Sequence, residues 1–497
     1  MKILKIFFAM IIVFSFFSLY GCGGGKGGSN TPSYSIPYIP LDNNSSNNVT
    51  KKPWLFIIYS AADNSDILPW QLSNIDQLEK VGSDENTDIV AFIDIGDTKK
   101  KKIEGWEKWN WSKTLDWSGA RSFHIQKDDV EYYINSPIIK KYGDVDSGSK
   151  TIFSQFLKET IVNYPAENIC LVLNDHGGAF FGLMADDTSN TMMTNEEVAG
   201  AIKEIEDETD SRINVLAFDA CLMANIESVY EYKDLTDYIL ASEEESYSGS
   251  FNYKTILNSE APKSTSFSKD LRDGILPEAI KKVQNRYRKI EESNCSEDTY
   301  SKINPDITPK EFAQIIFDVN KENIKEESLL TYSLLDTSKF ESLKEAIDDF
   351  VDAVMDTDQE NLRAISSNLN NQYDEATNLK LEYGNIPGGV SSSYYVYDIY
   401  NMMDRILASN EITDSNVREK AGYVKESVKE AVIDNINSSK NALYSSSHGL
   451  SIFCADLANL SKLQNNSLET YEKLQFIQNS RWRSILKILK NGIIWKC

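Results

Sequence analysis

The sequence predicts an α/β protein with a mostly parallel sheet, followed by a helix-rich C-terminal part. Between residues 53 and 260, short runs that are apolar throughout alternate with amphipathic helical patterns. Strands without polar alternation are buried on both faces, which is typical of a parallel sheet covered by helices. From residue 261 to 497 long amphipathic patterns dominate, with one strand-like run near residue 450. This second part is expected to return a strand or two.

Individual elements follow from hydrophobic periodicity. The strand-like runs of the first part lie at 54–59, 89–95, 169–173, 215–218 and 238–241. The helical patterns between them lie at 66–81, 150–164, 195–207 and 222–232. In the second part, helices are predicted at 340–355, 417–436 and 468–489, and a strand within 448–455. Ligands of open α/β sheets bind beyond the carboxyl ends of the strands, so the residues after each run are the candidates for a site.

The N-terminus has the pattern of an export signal. Two lysines precede an apolar run at 6–19, which is too short for a stable membrane span, and the sequence LYGC follows. This ending resembles a bacterial lipobox, which implies that residues 1–21 are a signal peptide and that Cys22 becomes the lipid-modified first residue. An ordinary signal peptide or a short anchor helix is the alternative. Residues 22–52, rich in Gly, Ser, Asn and Pro, are predicted to be a flexible tether.

Charge and the scarcity of metal ligands exclude several classes of function. Over 497 residues the formal net charge is −24, which argues against a nucleic-acid-binding protein because such proteins carry a basic face. Six cysteines are spread through the chain without a CxxC pair, and the three histidines are equally scattered. Neither a disulfide framework nor a zinc site fits this spacing.

Two predicted strands end in the residues that thiol chemistry requires. The run at 169–173 is followed by His176 and Gly177, and the run at 215–218 is followed by Cys221. Parallel strands would bring both ends to one edge, with an imidazole to move a proton and a thiol to attack a carbonyl carbon. The backbone N–H groups of Gly177 and Cys221 could hold the oxyanion. The helix predicted after Cys221 would favour the thiolate through its dipole.

Several motifs resemble the clostripain-type (C11) cysteine peptidases of the caspase-like clan. They are IIYSAADNSDI at the first strand, DHGG with DDTSN after it, DACLMANIESVYE, ILASEEESYSGSFNY and the late HGLSIF. They occur in the family's order and cover most of residues 54–253 plus one late segment. The resemblance implies a caspase-like α/β/α sandwich, a catalytic dyad of His176 and Cys221, and cleavage after basic residues.

Asp219 is the specificity residue that this resemblance implies, since the family's pocket carries an acidic residue two positions before the nucleophile. A buried carboxylate would bind an Arg or Lys side chain through a charge-assisted hydrogen bond. The alternative is that Asp219 caps the helix predicted to follow it. His448, in a second His-Gly pair, is interpreted as structural because it lies outside the alternating region.

The segment between the predicted catalytic residues departs from the family pattern. Family members are often activated by self-cleavage there, yet residues 177–202 contain no Lys or Arg. The chain is therefore expected to work without such cleavage. No cofactor is expected for the chemistry. Some relatives depend on calcium, for which Asp186 and Asp187 could supply oxygen ligands. Their spacing matches no EF-hand loop, and a solvated turn is the favoured interpretation.

Four further features have structural interpretations. Asp63 and Asn64 are expected to cap the helix after the first strand. The acidic run 243–245 is interpreted as a solvated charge run. Cys170, in the middle of an apolar strand, is expected in the core, and Cys221 considered alone could be a buried thiol as well.

Together these observations predict an exported lipoprotein of the bacterial cell envelope or cell surface, anchored to the membrane through Cys22. Residues 53–260 are expected to form the catalytic domain of a cysteine endopeptidase, and residues 261–497 a helix-rich C-terminal region. The substrates would be proteins or peptides with Arg or Lys at the cleavage site, and the protein is expected to be a monomer. The alternative function is a surface binding or adhesion lipoprotein on the same fold, whose dyad is idle.

Overall fold

The computed structural model describes residues 50–244, 246, 251–257, 305–323, 331–370, 380–382, 393–436, 447–454 and 467–489. From Lys51 onward these residues form one compact unit. The predicted signal peptide, Cys22, nearly all of the tether and the boundary at residue 260 lie outside the described residues. Within the described ranges, no helix is long and apolar enough to cross a membrane.

Strands and helices alternate along the first half of the chain, as the sequence predicts. The strands are β1 (Lys52–Ala61), β2 (Thr87–Asp94), β3 (Ala120–His124), β4 (Ile138–Gly143), β5 (Ala166–Asn174), β6 (Leu183–Asp186), β7 (Thr191–Met193), β8 (Ile213–Asp219), β9 (Tyr238–Ala241), β10 (Tyr332–Asp336), β11 (Lys380–Glu382), β12 (Ser393–Asp398), β13 (Val432–Ile436) and β14 (Ser451–Phe453). The α-helices are α1 (Leu68–Glu79), α2 (Trp111–Thr114), α3 (Lys150–Asn163), α4 (Asn195–Thr209), α5 (Ile226–Val229), α6 (Tyr253–Leu257), α7 (Pro309–Asn323), α8 (Phe340–Asp356), α9 (Gln359–Asn370), α10 (Ile399–Ala408), α11 (Ser415–Ala431), α12 (Ser467–Lys473), α13 (Gln475–Asn479) and α14 (Trp482–Leu489).

A nine-stranded sheet forms the centre of the described structure, in the order β13-β10-β9-β8-β5-β1-β2-β3-β4. The five middle strands, from β9 to β2, run parallel. The two strands on each side of them pair antiparallel with their neighbours. The parallel strands are the five runs that the sequence predicts, so the expected mostly parallel sheet is confirmed.

Helices cover both faces of this sheet. Along β1, Leu55 and Ile57 pack into one core, whereas Phe56 and Ile58 pack into the other. The first core is closed by α3, α4 and C-terminal helices that include α8, α10 and α11, and the second by α1, α6 and α7. Each fully buried Leu or Ile side chain contributes about 1.5–3 kcal/mol, which explains why the strands carry apolar residues on both faces.

The C-terminal part joins the same sheet, because β10 and β13 extend it beyond β9. The helix predicted at 417–436 ends at Ala431, and the residues after it form β13. Residues 432–436 form a strand, although their apolar spacing predicts a helix, because they pair antiparallel with β10. The β-branched side chains of Val432 and Ile433 also favour a strand. The final helix predicted at 468–489 is divided into the three short helices α12, α13 and α14.

Candidate active site

The carboxyl ends of β5 and β8 lie side by side at one edge of the sheet. The parallel register pairs Asn174 with Asp219, and the Asp175 N–H donates to the Asp219 carbonyl oxygen over 3.3 Å. His176 and Cys221 each follow two residues after this pair. Since paired strands lie about 4.8 Å apart, the structure brings the two predicted catalytic residues to adjacent strand ends.

Gly177 lies directly against the backbone of Cys221. A Cβ atom placed on Gly177 would lie 2.2 Å from the Cys221 carbonyl oxygen and 3.1 Å from the Cys221 nitrogen. Any other residue at position 177 would therefore push the backbone of Cys221 away. The glycine is required by the close packing of the two strand ends.

His176 forms a hydrogen bond with Asp66, which lies in the loop between β1 and α1. The distance from Nε2 to the Asp66 Oδ1 is 3.0 Å, and the same oxygen accepts the Ile67 N–H over 2.9 Å. Burial lowers the pKa of His176, but the hydrogen bond with Asp66 and its negative charge outweigh burial and raise the pKa to about 9. With Nε2 bonded to Asp66, Nδ1 is the nitrogen that can face a thiol.

The thiol of Cys221 is half-buried and receives a backbone hydrogen bond. The Ser246 N–H donates to the Cys221 Sγ over 3.3 Å. A donor that points at sulfur stabilises negative charge on it. This contact comes from the loop after β9, which therefore forms one wall of the site.

The chain after Cys221 forms a strained turn instead of the predicted helix. Leu222 has a φ of 67°, a left-handed conformation that costs a non-glycine residue about 1–3 kcal/mol. The Leu222 N–H donates to the Glu244 carbonyl oxygen over 3.0 Å. Helix α5 begins only at Ile226 and is four residues long. The expectation that a helix dipole acts on Cys221 is therefore wrong.

Asp219 is buried at the same edge, with only 6% of its surface exposed. Its Oδ2 accepts hydrogen bonds from Asn174 over 2.7 Å, from the Tyr253 hydroxyl over 2.8 Å and from Asn74 over 3.4 Å. Burial raises the pKa of Asp219 to about 7, although the bonds from Tyr253 and Asn174 act to lower it. The alternative role as a helix cap is wrong, because α5 begins seven residues later, at Ile226.

The two polar residues that follow β1 have different roles. The Asn64 Oδ1 accepts the N–H groups of Ile67 and Leu68 over 3.1 and 2.8 Å, so Asn64 holds the chain at the start of α1, although the N-cap position itself is Ile67 and makes no side-chain cap hydrogen bond. Asp63 does not cap this helix. It is buried and forms an ion pair with Lys101, with 2.6 Å between Oδ1 and Nζ.

Several acidic residues that were expected in solvent are buried. Glu243 and Glu244 are 1% and 5% exposed, so the solvated-run interpretation is wrong for both, and Glu245 lies outside the described residues. Asp186 is also buried, and accepts hydrogen bonds from the backbone and hydroxyl of Ser147, so the expectation of a solvated turn is wrong for Asp186. The expectation is confirmed for Asp187, which lies in an exposed turn. In the described part of the chain, no group of three or more His, Cys, Asp or Glu side chains is arranged to hold a metal ion.

The remaining predicted residues are placed as follows. Cys170 is fully buried in β5, as expected for a core residue. His448 forms a hydrogen bond with Asp398 and stacks on Tyr400, which fits its structural interpretation. Sequence patterns do not single out Asp66, because nothing local marks a residue that meets a histidine 110 positions later. Its position inside the AADNSD motif is the only signal.

The mixed sheet with helices on both faces defines an α/β protein of the caspase-like class. The chain belongs to the Clostripain family, whose profile matches residues 58–488. It is therefore a cysteine peptidase, and members of this family need no cofactor for their chemistry.

Similar proteins cover nearly the whole chain. Clostripain of Hathewaya histolytica is 21% identical over an alignment of 507 positions, which covers 94% of this chain and 88% of that protein. The X-ray structure of an inactive zymogen C11 protease from Parabacteroides distasonis aligns with a TM-score of 0.52 at 18% identity, over 86% of this chain and 98% of that one. The shared fold thus includes the C-terminal part.

Proposed function

We propose that the protein is an exported, lipid-anchored cysteine endopeptidase that cleaves after Arg or Lys, with Cys221 as nucleophile and His176 as its proton-transfer partner. The observation that carries this proposal is the contact of Gly177 with the Cys221 backbone. It joins the strand end that bears the imidazole to the strand end that bears the thiol. A histidine that already has a carboxylate partner lies beside this contact.

The proposed reaction proceeds through a thioester. The Cys221 thiolate attacks the scissile carbonyl carbon, and the N–H groups of Gly177 and Cys221 donate to the oxyanion, each worth about 3–4 kcal/mol of barrier. The His176 imidazolium then gives its proton to the leaving amine as the C–N bond breaks. Water attacks the thioester while the neutral imidazole accepts its proton. The tetrahedral intermediate expels the thiolate, the acid product leaves, and the thiolate–imidazolium pair is restored.

Asp66 supports this cycle by stabilising the imidazolium. Its carboxylate bonds to Nε2 of His176 and is itself oriented by the Ile67 N–H. The hydrogen bond and charge of His176 outweigh burial and lower the pKa of Asp66, so it stays ionised while the histidine changes its charge. This is the role of the third residue in a catalytic triad.

Asp219 is the proposed selector of basic side chains. Its three side-chain hydrogen bonds converge on Oδ2, so Oδ1 is the oxygen proposed to bind the substrate cation. The pKa of about 7 means that the carboxylate form is present in only part of the molecules at neutral pH. A bound guanidinium or ammonium group of the substrate would stabilise the carboxylate form of Asp219. In return, the carboxylate would neutralise the positive charge that the substrate buries there.

The lipid anchor rests on the sequence alone. The LYGC motif supports lipidation of Cys22, and the composition of residues 22–52 supports a tether that lets the peptidase reach substrates away from the membrane. The full-length protein is expected in the detergent phase after phase partition. The Cys22→Ser variant should move to the aqueous phase. Equal partition of both proteins would contradict the anchor.

Fluorogenic peptides test the enzymatic proposal. The chain from residue 50 onward should release the fluorophore after Arg or Lys but not after Asp or Leu, and Cys221→Ala should abolish this. Absence of turnover by the wild type under reducing conditions, with and without calcium, would instead favour an idle binding lipoprotein.

Selectivity provides a separate test of Asp219. The Asp219→Ala variant should lose the preference for basic substrates. In the wild type this preference should increase as the pH rises through about 7, because the carboxylate forms there. Unchanged selectivity in Asp219→Ala would remove the pocket role and leave the nucleophile untouched.

A further inference from the structure

The strained turn after Cys221 is held by the loop that follows β9. The Leu222 N–H donates to the Glu244 carbonyl oxygen over 3.0 Å, and the Ala224 N–H donates to that of Ser242 over 2.8 Å. A left-handed non-glycine residue persists only when its surroundings hold it in place. The position of Cys221 therefore depends on this loop.

Glu243, in the middle of that loop, connects it to the C-terminal part of the chain. Its Oε2 accepts the Ser447 hydroxyl and also the Gly449 N–H, the latter over 2.9 Å. Burial, followed by the charge of Asp398, raises the pKa of Glu243 well above its usual value. Glu243 and Asp398 also share a side-chain hydrogen bond, which needs a proton on one of the two carboxyl groups and which an amide at position 243 could imitate.

The same C-terminal segment also bonds to the far side of the turn. The N–H and the hydroxyl of Ser451 both donate to the Ala224 carbonyl oxygen, over 2.9 and 3.1 Å. Two residues later the Phe453 N–H donates to the buried Glu227 over 3.0 Å. Residues 447–453 thus contact the turn directly and, through Glu243, the loop that holds it.

We propose that Glu243 is a positioning residue through which the C-terminal segment 447–453 sets the geometry of Cys221. The inference rests on the proposed role of Cys221 as nucleophile. The bond between Glu243 and Ser447 spans 204 positions. The C-terminal half would therefore form part of the catalytic apparatus without touching substrate. The late HGLSIF motif thereby acquires a function, since three of its residues make these bonds.

Three variants of the full-length chain separate positioning from general stability. Glu243→Ala removes the connection, and Glu243→Gln keeps it, because the amide oxygen accepts the same two bonds and the amide nitrogen donates to Asp398. Glu231→Ala is the matched control. Glu231 is also buried and accepts the Gln475 N–H over 2.5 Å, but its bonds go to α13 rather than to the loop or the turn.

The main readout is the rate at which iodoacetamide alkylates Cys221 in the folded protein, measured site by site with peptide mass spectrometry. The second readout separates kcat from KM on an Arg or Lys peptide. Glu243→Ala should slow alkylation about tenfold and lower kcat about 100-fold, as small misplacements of reacting groups do, with little change in KM. Glu243→Gln should restore both. Glu231→Ala should lower the unfolding temperature without slowing alkylation.

Equal alkylation rates in Glu243→Ala and Glu231→Ala would overturn the proposal, as would a Glu243→Gln variant as impaired as Glu243→Ala. If Glu243→Ala does not fold, Ser447→Ala removes one of the two donors to Glu243 and should give a smaller loss in the same readouts. The two proposals can fail separately. If Glu243→Ala slows the alkylation of Cys221 but the wild type cleaves no peptide, the proposed function is overturned and this inference stands.

Discussion

The chain contains two His-Gly pairs, and they share more than the dipeptide. His176 lies 3.0 Å from Asp66 and His448 lies 3.2 Å from Asp398, each through a ring nitrogen and a carboxylate oxygen. Their side chains are 36% and 38% exposed. Judged by the histidine, its partner and its exposure, the two regions would be equally good candidates for a catalytic base.

What differs is the surroundings. His176 follows a parallel strand whose neighbour ends near Cys221. His448 stacks on Tyr400 at 4.2 Å between ring centroids, and its partner Asp398 also accepts the Asn401 N–H at the start of α10. Asp398 thus accepts two backbone N–H groups, from Asn401 and His448, whereas Asp66 accepts one, from Ile67. The comparison teaches that the neighbouring strand, not the His-Gly pair, identifies the site.

Replacing each histidine by alanine should give the largest difference in activity between the two His-Gly pairs. His176→Ala is expected to lower kcat/KM on a Lys or Arg peptide by about 1000-fold, within the range of general acid–base catalysis. His448→Ala should change it by no more than a few-fold and cost mainly stability, since the ring stacked on Tyr400 and the hydrogen bond with Asp398 are lost. Similar losses in both variants would break the distinction between the two pairs.

The glycines of the two pairs should fail for different reasons. Gly177→Ala should lower activity about 100-fold, because its Cβ would meet the Cys221 carbonyl oxygen at 2.2 Å. Gly449→Ala should reduce stability by about 1–3 kcal/mol, since Gly449 has a φ of 102°, and should lower activity less than Gly177→Ala does, through its N–H bond to Glu243. Thermal unfolding and peptide cleavage would be measured on both.

Gly422→Ala is the matched control for these glycine variants. Gly422 lies within α11, and nothing lies within 4 Å of the Cβ that would be added. Stability should rise by about 0.5–1 kcal/mol because alanine is the better helix former. A Gly177→Ala enzyme as active as Gly422→Ala would contradict the close approach of the two strand ends.

The carboxylate beside His176 should set the alkaline limit of activity. Since Asp66 helps to raise the pKa of His176 to about 9, activity that needs the imidazolium should decline near that pH. In Asp66→Asn the imidazolium loses its counter-charge, so the limit should move toward the ordinary value of about 6.5 and kcat should fall about 10- to 100-fold. The readout is a pH–rate profile.

Asp207→Asn, which removes an exposed ion pair with Lys203, is the control for that profile. Its alkaline limit should coincide with that of the wild type. If the Asp66→Asn limit also stayed in place, the His176–Asp66 bond would have no catalytic role.

The smallest expected effect concerns stability around the C-terminal segment. Burial raises the pKa of Glu227 to about 7, above its value in the unfolded chain. The contribution of the protonated Glu227 to the stability of the fold is therefore fully present below about pH 4.5 and is lost as the pH rises through about 7. In a Cys221→Ala background, Glu227→Gln should reduce the decline in unfolding temperature between pH 5 and 8 by a few degrees. An exposed control, Glu360→Gln, should leave that decline unchanged, and parallel curves for all three proteins would contradict the prediction.

Much of the first half of the fold can be predicted from sequence because its signals are local. Strands buried on both faces read as continuous apolar runs, and all five predicted runs are strands of the parallel sheet. The closeness of the strand ends that precede His176 and Cys221 also follows, since parallel strands align their carboxyl ends. The helix expected from residue 222 begins only at Ile226, because residues 222 and 224 bond to the loop after β9 instead of to their own segment.

The rest of the site depends on contacts between distant parts of the chain. Asp66 meets a histidine 110 positions away, and Glu243 meets Ser447 across 204 positions. An acidic run such as 243–245 normally predicts side chains exposed to solvent. Glu243 is a buried hydrogen-bond acceptor because the segment 447–453 packs on it. The sequence does not predict strand β13 for the same reason, since its partner strand β10 lies about 100 residues earlier in the chain.

Covalent labelling tests the central claim most directly. A peptide that ends in an Arg or Lys ketone reactive toward active-site thiols should add once to the wild type, with the adduct on Cys221. Labelling should be absent from Cys221→Ala and much slower in His176→Ala. An adduct on a different cysteine, or labelling of His176→Ala at the wild-type rate, would contradict the assignment of Cys221 and His176 as the catalytic pair.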